Sequence, residues 1–197
     1  MTGNFFAMLS RMRNIRRWCL MRNSYDENVQ EHSHMTAVLA HALAVIRRDV
    51  FGKEAEPEKC AAAALFHDAS EIITGDMPTP VKYLNSDITG SYKHVERLAE
   101  EKLLGMLPDE LRGAYAEAMN PQDESIRQIV KAADKLSAYI KCVEELRAGN
   151  GEFRSAEGQI REALEASSLP EVRYFLKNFM PAFGMTLDEL TRQETEA

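Results

Sequence analysis

His67, Asp68 and Glu71 lie together in AALFHDASEII, residues 63–73. One imidazole and two carboxylates this close can hold a cation or relay a proton. On a helical wheel of about 100° per residue, Glu71 falls about 40° from His67 and Asp68 about 100° from it, with Leu65, Phe66, Ala69, Ile72 and Ile73 opposite. The same pattern describes the wet face of an ordinary amphipathic helix. The preceding CAAAAL favours the chemical reading. It is small and apolar all round, which suits a helix packed on both sides, so the polar cluster emerges where the helix leaves that packing for a pocket. Groups buried there need partners.

The chain has five histidines from which a partner could come. His32 falls in the first turn of a strongly apolar helix, in ENVQEHSH. His41 lies deeper in that helix and reads as a satisfied core or edge residue. His34 and His94 read as surface or outer residues. A second acid interrupts QIVKAADKLSAYI, where Ile126, Ile129, Val130, Ala133, Ser137 and Ile140 form a small or apolar stripe and Asp134 sits at its edge. An acid at such a place is usually paired or a ligand. One imidazole from the apolar helix, His67 with Asp68, and Asp134 would make a mixed N/O donor set. Such a set suits Mn, Fe, Co, Ni or Zn better than Ca or Mg.

The elements that must position these groups read as helices, with no alternating strand pattern and no internal repeat. A first helix is predicted over 4–18, with Phe5, Leu9, Met12 and Ile15 on one stripe. A second opens at Asn28 with a capping box, Asn28-Val29-Gln30-Glu31, and runs to 49 as the central buried helix. A third starts at Pro57 and ends before Gly75. TGDMPTPVKYL is a loop, because its prolines oppose a continuing helix. Further helices follow over 87–106, briefly after Pro108, over 123–147, over 152–166 and after Pro170. This predicts an all-α fold, one helical bundle over 1–197, with the site between the helices at about 28–49, 57–74 and 123–147.

Composition narrows the function classes. The 197 residues, 45% of them hydrophobic, suffice for one domain with a real core. A net charge of -7 argues against nucleic acid as the partner. The three cysteines are far apart and form no CxxC, which suggests a reducing compartment. MTGNFFAMLSRMRNIRRW has charges through any apolar stretch, and the longest near-apolar run, MTAVLAHALAVI, is too short to span a bilayer. A cytoplasmic protein without a membrane partner is expected.

His32, the doublet His67-Asp68 and the distant Asp134 together resemble the H…HD…D pattern of the HD-domain metal-dependent phosphohydrolases. Three segments sharpen the resemblance to the bacterial HD-domain 5'-deoxynucleotidases. RRWCLMRNSYDENVQEHS, residues 16–33, is similar to the approach to their first histidine. FHDASEIITGDMPTPVKY, residues 66–83, is similar to their metal and substrate loop. VKAADKLSAYIKCVEEL, residues 130–146, is similar to the helix carrying their last ligand. The likeness extends over nearly the whole chain, from NFFAMLSRMRNIRRW onward, and is less telling after about residue 149.

The resemblance implies an all-helical HD-domain homodimer that removes phosphate from deoxyribonucleoside 5'-monophosphates. It implies one divalent transition metal, Co or Mn or another such as Cu, Ni, Fe or Zn, held by His32, His67, Asp68 and Asp134. Glu71 matches the catalytic carboxylate. Arg17 and Trp18 match a substrate-contacting pair, and Asp76, Met77, Pro78 and Thr79 the substrate loop, with Asp76 also serving catalysis and His32 also facing substrate. A phosphate monoester needs an activated nucleophile and charge neutralisation, and these residue types supply both. Arg17 would clamp phosphate, while Arg13, Arg16 and Lys82 read as solvated charge. The Trp18 ring would pack on the sugar and leave a ribose 2'-hydroxyl without a partner. Tyr139, Val143 and Leu146 are an apolar surplus compatible with a dimer interface. Competing expectations are an HD phosphohydrolase of deoxynucleoside triphosphates or alarmones, and a nucleotide sensor without turnover. The first would call for more basic residues, or for a GYP signature that is absent here, and the second for loss of a ligand or of Glu71.

Overall fold

Helix starts and stops follow local cap chemistry, and the departures from that chemistry build the site. A computed structural model of the chain describes residues 3–82 and 84–192, apart from the Thr79 side chain. The helices are α1 (Phe5–Leu9), α2 (Val29–Val45), α3 (Pro57–Phe66), α4 (Glu71–Thr74), α5 (Thr79–Lys82), α6 (Ser86–Leu104), α7 (Asp109–Met119), α8 (Glu124–Arg147), α9 (Arg154–Glu165), α10 (Pro170–Asn178) and α11 (Leu187–Thr191). No strand occurs among the described residues, and the fold is all-α.

The capping box at α2 forms as predicted. The Asn28 side chain accepts from the Glu31 N–H at 3.0 Å, and the Glu31 carboxylate accepts from the Asn28 N–H at 3.2 Å. Asp123 caps α8 by accepting from the Ser125 N–H at 2.7 Å. Helices α2, α3 and α8 pack on one another around Leu39, Leu43, Ala64, Ile129 and Leu136, with Leu164 of α9 and Phe175 of α10 closing the layer. Tyr139 and Val143 pack partly buried against this core. The apolar surplus at those two positions is therefore absorbed within the chain.

Two predicted helices are interrupted. The first ends at Asn14, after a 3₁₀ turn over Ser10–Asn14, and does not reach Trp18. Ile15 is extended (φ −102°, ψ 112°) because the backbone here pairs with the approach to α2. The Arg17 N–H donates to Glu27 O at 2.9 Å and the Val29 N–H to Ile15 O at 3.0 Å. The third helix breaks after Phe66. Residues 67–70 form a tight turn in which the Ala69 N–H donates to Phe66 O at 2.9 Å and the Glu71 N–H to Asp68 O at 3.0 Å. Ala69 is wholly buried in a second apolar cluster with Phe5, Leu103, Leu107 and Met119, which anchors that turn. Leu65 and Ile73, placed opposite His67 by the wheel, are exposed. The proline-rich loop contains α5, with Pro80 in its first turn, where a missing N–H costs nothing. The helix after Pro108 is longer than expected, α7 spanning 11 residues.

The approach to α2 is pinned from below by a buried ion pair of α8. Lys141 and Glu145 are 1% and 0% exposed and bond to each other. Lys141 Nζ also donates to Tyr25 O at 2.7 Å, and Glu145 accepts from the Ser24 N–H at 2.9 Å and from Asn150 at 2.9 Å. Burial pushes the Glu145 carboxyl up, but these donors hold it down at about 2. Because the folded value lies below the unfolded one, the contribution to stability is full above about pH 4.3 and is lost as the pH falls toward 2. Glu145→Ala strands a buried ammonium and should cost about 3–5 kcal/mol in urea unfolding at pH 7, with a smaller difference near pH 3. A loss below about 1 kcal/mol at pH 7 would contradict this account.

Candidate metal centre

Helix α2 delivers His32 in its first turn, the turn after α3 delivers His67 and Asp68, and α8 delivers Asp134. His32 Nε2 lies 3.1 Å from Asp134 Oδ1 and 3.5 Å from Asp68 Oδ2. His67 Nε2 lies 3.1 Å from Asp68 Oδ2 and 3.9 Å from Asp134 Oδ1. The ligand atoms of His32, His67 and Asp68 all fall within 4.8 Å of one another. Both Nε2 atoms are buried and have no hydrogen-bond partner.

The other ring nitrogens explain why. His67 Nδ1 is 2.7 Å from Ala64 O, a carbonyl that can only accept, so Nδ1 carries a proton and Nε2 is the nitrogen left to face the carboxylates, where a cation would displace any proton on it. His32 Nδ1 is held 3.1 Å from Ser137 Oγ. Such outer bonds fix ring orientation at metal sites. Burial pushes the His67 imidazole down, but Asp68 and Asp134 outweigh it and carry it up to about 9. Against their own burial, Asp68 is held well below the carboxylate range chiefly by His67, and Asp134 below it by the two histidines. Two imidazole nitrogens and two carboxylates, with one negative charge from each Asp, fit a divalent cation of borderline softness. This donor set, with its two unpartnered nitrogens, fits a transition metal.

Glu71, at the start of α4, is 6% exposed and its Oε2 is unpartnered. Burial, then Asp68 and Asp76, push its carboxyl up to about 9. Arg17 reaches Asp68 Oδ2 through Nη1 at 3.4 Å and Glu27 Oε2 through Nε at 3.1 Å. Burial lowers its pKa, but Asp68, Glu27, Asp134 and Asp76 raise it further, so it stays a cation. Trp18, Asp76, Met77 and Pro78 join Arg17 in lining a cavity of about 510 Å³ whose far wall includes Ile160 of α9. The Thr79 backbone lies in α5, and its side chain falls outside the described set. A second cavity, of about 310 Å³, opens on His67, Asp68 and Asp134 from the side of Lys82 and Arg127.

The predicted ligands and Arg17 thus converge on Asp68, and Trp18 and the 76–78 loop flank them. Histidines 34 and 94 are exposed as expected; His41 is exposed too, and is no core residue. Lys82 is not merely solvated, since its Nζ lies 2.8 Å from Glu96. Sequence reasoning missed Glu27 and Ser137. Glu27 sits among the loop acids of YDEN with nothing to single it out, whereas Ser137, a hydroxyl within an apolar stripe three residues beyond Asp134, was a readable signal.

A family profile described as YfbR-like 5'-deoxynucleotidase matches residues 4–183. The chain is 48% identical over 193 residues to a 5'-deoxynucleotidase of Erwinia tasmaniensis, covering 97% of this chain and 98% of that one. It is 49% identical over 192 residues to the 5'-deoxynucleotidase YfbR of Salmonella paratyphi B, covering 96% of each. Among solved structures, an HD-domain phosphohydrolase of Listeria innocua superposes with a TM-score of 0.79 at 24% identity, over 91% of this chain and 88% of that one. An HD phosphohydrolase of cyanophage S-2L, bound to dA and one catalytic zinc ion, superposes with a TM-score of 0.58 at 21% identity, over 87% of this chain and 91% of that one.

Proposed function

Because the chain belongs to the YfbR-like 5'-deoxynucleotidase family, and is a phosphohydrolase of deoxyribonucleoside 5'-monophosphates, we propose that its centre is His32, His67, Asp68 and Asp134 around one divalent transition ion and that it prefers deoxyribo- to ribonucleotides. The observation that carries the site is the pair of buried, unpartnered Nε2 atoms facing two carboxylates. When bound, the ion would activate water and neutralise phosphate charge. Mn and Co are the first ions to test, with Cu, Ni, Fe and Zn behind them.

The chain's own groups supply the rest. Arg17 grips the phosphate with charge-assisted hydrogen bonds. Water attacks phosphorus, the bond to the 5'-oxygen breaks, and that oxygen must gain a proton to leave as a hydroxyl. Glu71, buried with its Oε2 unpartnered and its carboxyl pushed up by burial, Asp68 and Asp76, is the group we assign to that proton. Asp76, Met77 and Pro78 wall the nucleoside side, Thr79 belongs to the same substrate loop, and the Trp18 ring meets the sugar. A ribose 2'-hydroxyl buried there would lose water without gaining a partner.

Chelator-stripped protein should release phosphate from dAMP and dTMP only after Mn or Co is restored, and should act weakly on AMP. Trp18→Ala should narrow the dAMP-to-AMP ratio of kcat/KM about tenfold. An unchanged ratio removes Trp18 from the sugar site, and no release with metal bound moves the substrate to another nucleotide. The proposal extends to one HD domain over 1–197, acting as a cytoplasmic homodimer. Three free cysteines accord with a reducing compartment, and no helix among the described residues is long and apolar enough to cross a membrane. Sedimentation of the purified chain distinguishes dimer from monomer.

A further inference from the structure

One carboxylate oxygen receives both proposed substrate-contacting side chains. Glu27 Oε2 accepts from Arg17 Nε at 3.1 Å and from Trp18 Nε1 at 2.9 Å. We propose that Glu27 is the positioning residue for phosphate grip and sugar selection, holding the guanidinium and the indole in register through that oxygen. The inference rests on the roles proposed above for Arg17 and Trp18.

Three features go beyond a simple ion pair. First, the indole has one N–H, and Glu27 takes it, so rotation of the ring away from the cavity would break that bond. With Phe153 tilted against it at a centroid distance of 5.3 Å, the ring is held at its edge and on one face. Second, Glu27 occupies the Nε edge of Arg17, and Nη1 faces Asp68. A guanidinium tied at one edge is oriented for a bidentate anion at the other. Third, Trp18 has φ +56°, the only positive φ at a non-glycine among the described residues. A bulky residue stays in that region only when its surroundings insist on it. The surroundings here are the Arg17 N–H bond to Glu27 O and the Glu27 side chain, together with the Met21 N–H and the Asn23 amide, which both donate to Trp18 O. Glu27 in turn follows Ser24 and Tyr25, which the buried Lys141–Glu145 pair fixes to α8. An isolated ion pair, with Arg17 and Glu27 side chains each 13% exposed, would neutralise charge without reaching the indole.

The variants Glu27→Ala and Glu27→Gln, loaded with Mn, separate the two functions. Trp18 is the single tryptophan, so its fluorescence reports the ring alone. Glu27→Ala should raise KM for dAMP and narrow the dAMP-to-AMP ratio, each about tenfold, with a red-shifted emission. Glu27→Gln keeps an acceptor for the indole but lacks the charge facing Arg17, so it should keep the ratio and the emission while KM still rises. A folded Glu27→Ala with parental KM, ratio and emission overturns the proposal. If that variant does not fold, Glu27→Gln decides, and an unchanged KM overturns it. Arg17→Ala and Trp18→Ala run alongside. If they alter KM and ratio while the Glu27 variants do not, only the positioning role fails; if they alter neither, the roles of Arg17 and Trp18 fail and this proposal falls with them.

Discussion

Asp68→Asn should remove metal-dependent phosphate release from dAMP and dTMP, with loss of bound metal as the cause. Asp68 Oδ2 is the hub of the centre, 3.1 Å from His67 Nε2, 3.5 Å from His32 Nε2 and 3.4 Å from Arg17 Nη1. Asn keeps the shape but turns a charged acceptor into a neutral amide. Half of the charge that would balance a divalent ion disappears, since Asp68 and Asp134 supply one each. Ser137→Ala offers the internal scale. It deletes only the contact to His32 Nδ1, and losses of such outer partners cost about 10–100-fold in metal affinity or activity. Asp68→Asn should exceed that range, while excess Mn should partly rescue Ser137→Ala. Metal content after dialysis and turnover against Mn concentration give both readings. Stoichiometric metal and parental turnover in Asp68→Asn would exclude it as a ligand.

The proposed ligands were legible because they are polar interruptions of an apolar helical pattern. His32, Asp68 and Asp134 are such interruptions, and α8, predicted over 123–147, forms over Glu124–Arg147. What decides their geometry was not legible. Periodicity carried the first helix through Trp18, whereas the backbone after Asn14 is claimed by pairing with residues 27–29, a contact distant in sequence. It also carried the third helix through His67. There the tight turn keeps its own backbone bonds, Ala69 N–H to Phe66 O and Glu71 N–H to Asp68 O, while Ala69 packs with Phe5, Leu103, Leu107 and Met119, and it turns Asp68 onto both imidazoles. Lys141 and Glu145 look in sequence like an i,i+4 surface pair, but the returning 22–25 segment, Asn150 and Phe153 cover them.

Glu71→Gln separates catalysis from metal binding. Glu71 is buried and its Oε2 has no partner, so in the metal-free chain the environment disfavours the carboxylate and favours the protonated carboxyl. A carboxyl so held can donate to the departing 5'-oxygen. Gln fills the same space and cannot give up a proton, so kcat on dAMP should fall about 10²–10⁴-fold while Mn is retained. The stability effect has the opposite sign. The folded value of about 9 lies above the unfolded value, so the folded state holds a proton that the unfolded chain releases, and stability falls as pH rises from about 4.3 toward 9. Gln carries no such penalty. Chelator-treated Glu71→Gln should therefore be at least as resistant to urea as the parent at pH 8, and closer to it at pH 4. Loss of Mn would make Glu71 a ligand, and parental kcat would remove it from proton transfer. An inactive, metal-loaded variant with equal or higher stability would mean that the chain keeps a buried acid at a cost to its fold because the reaction needs a proton there.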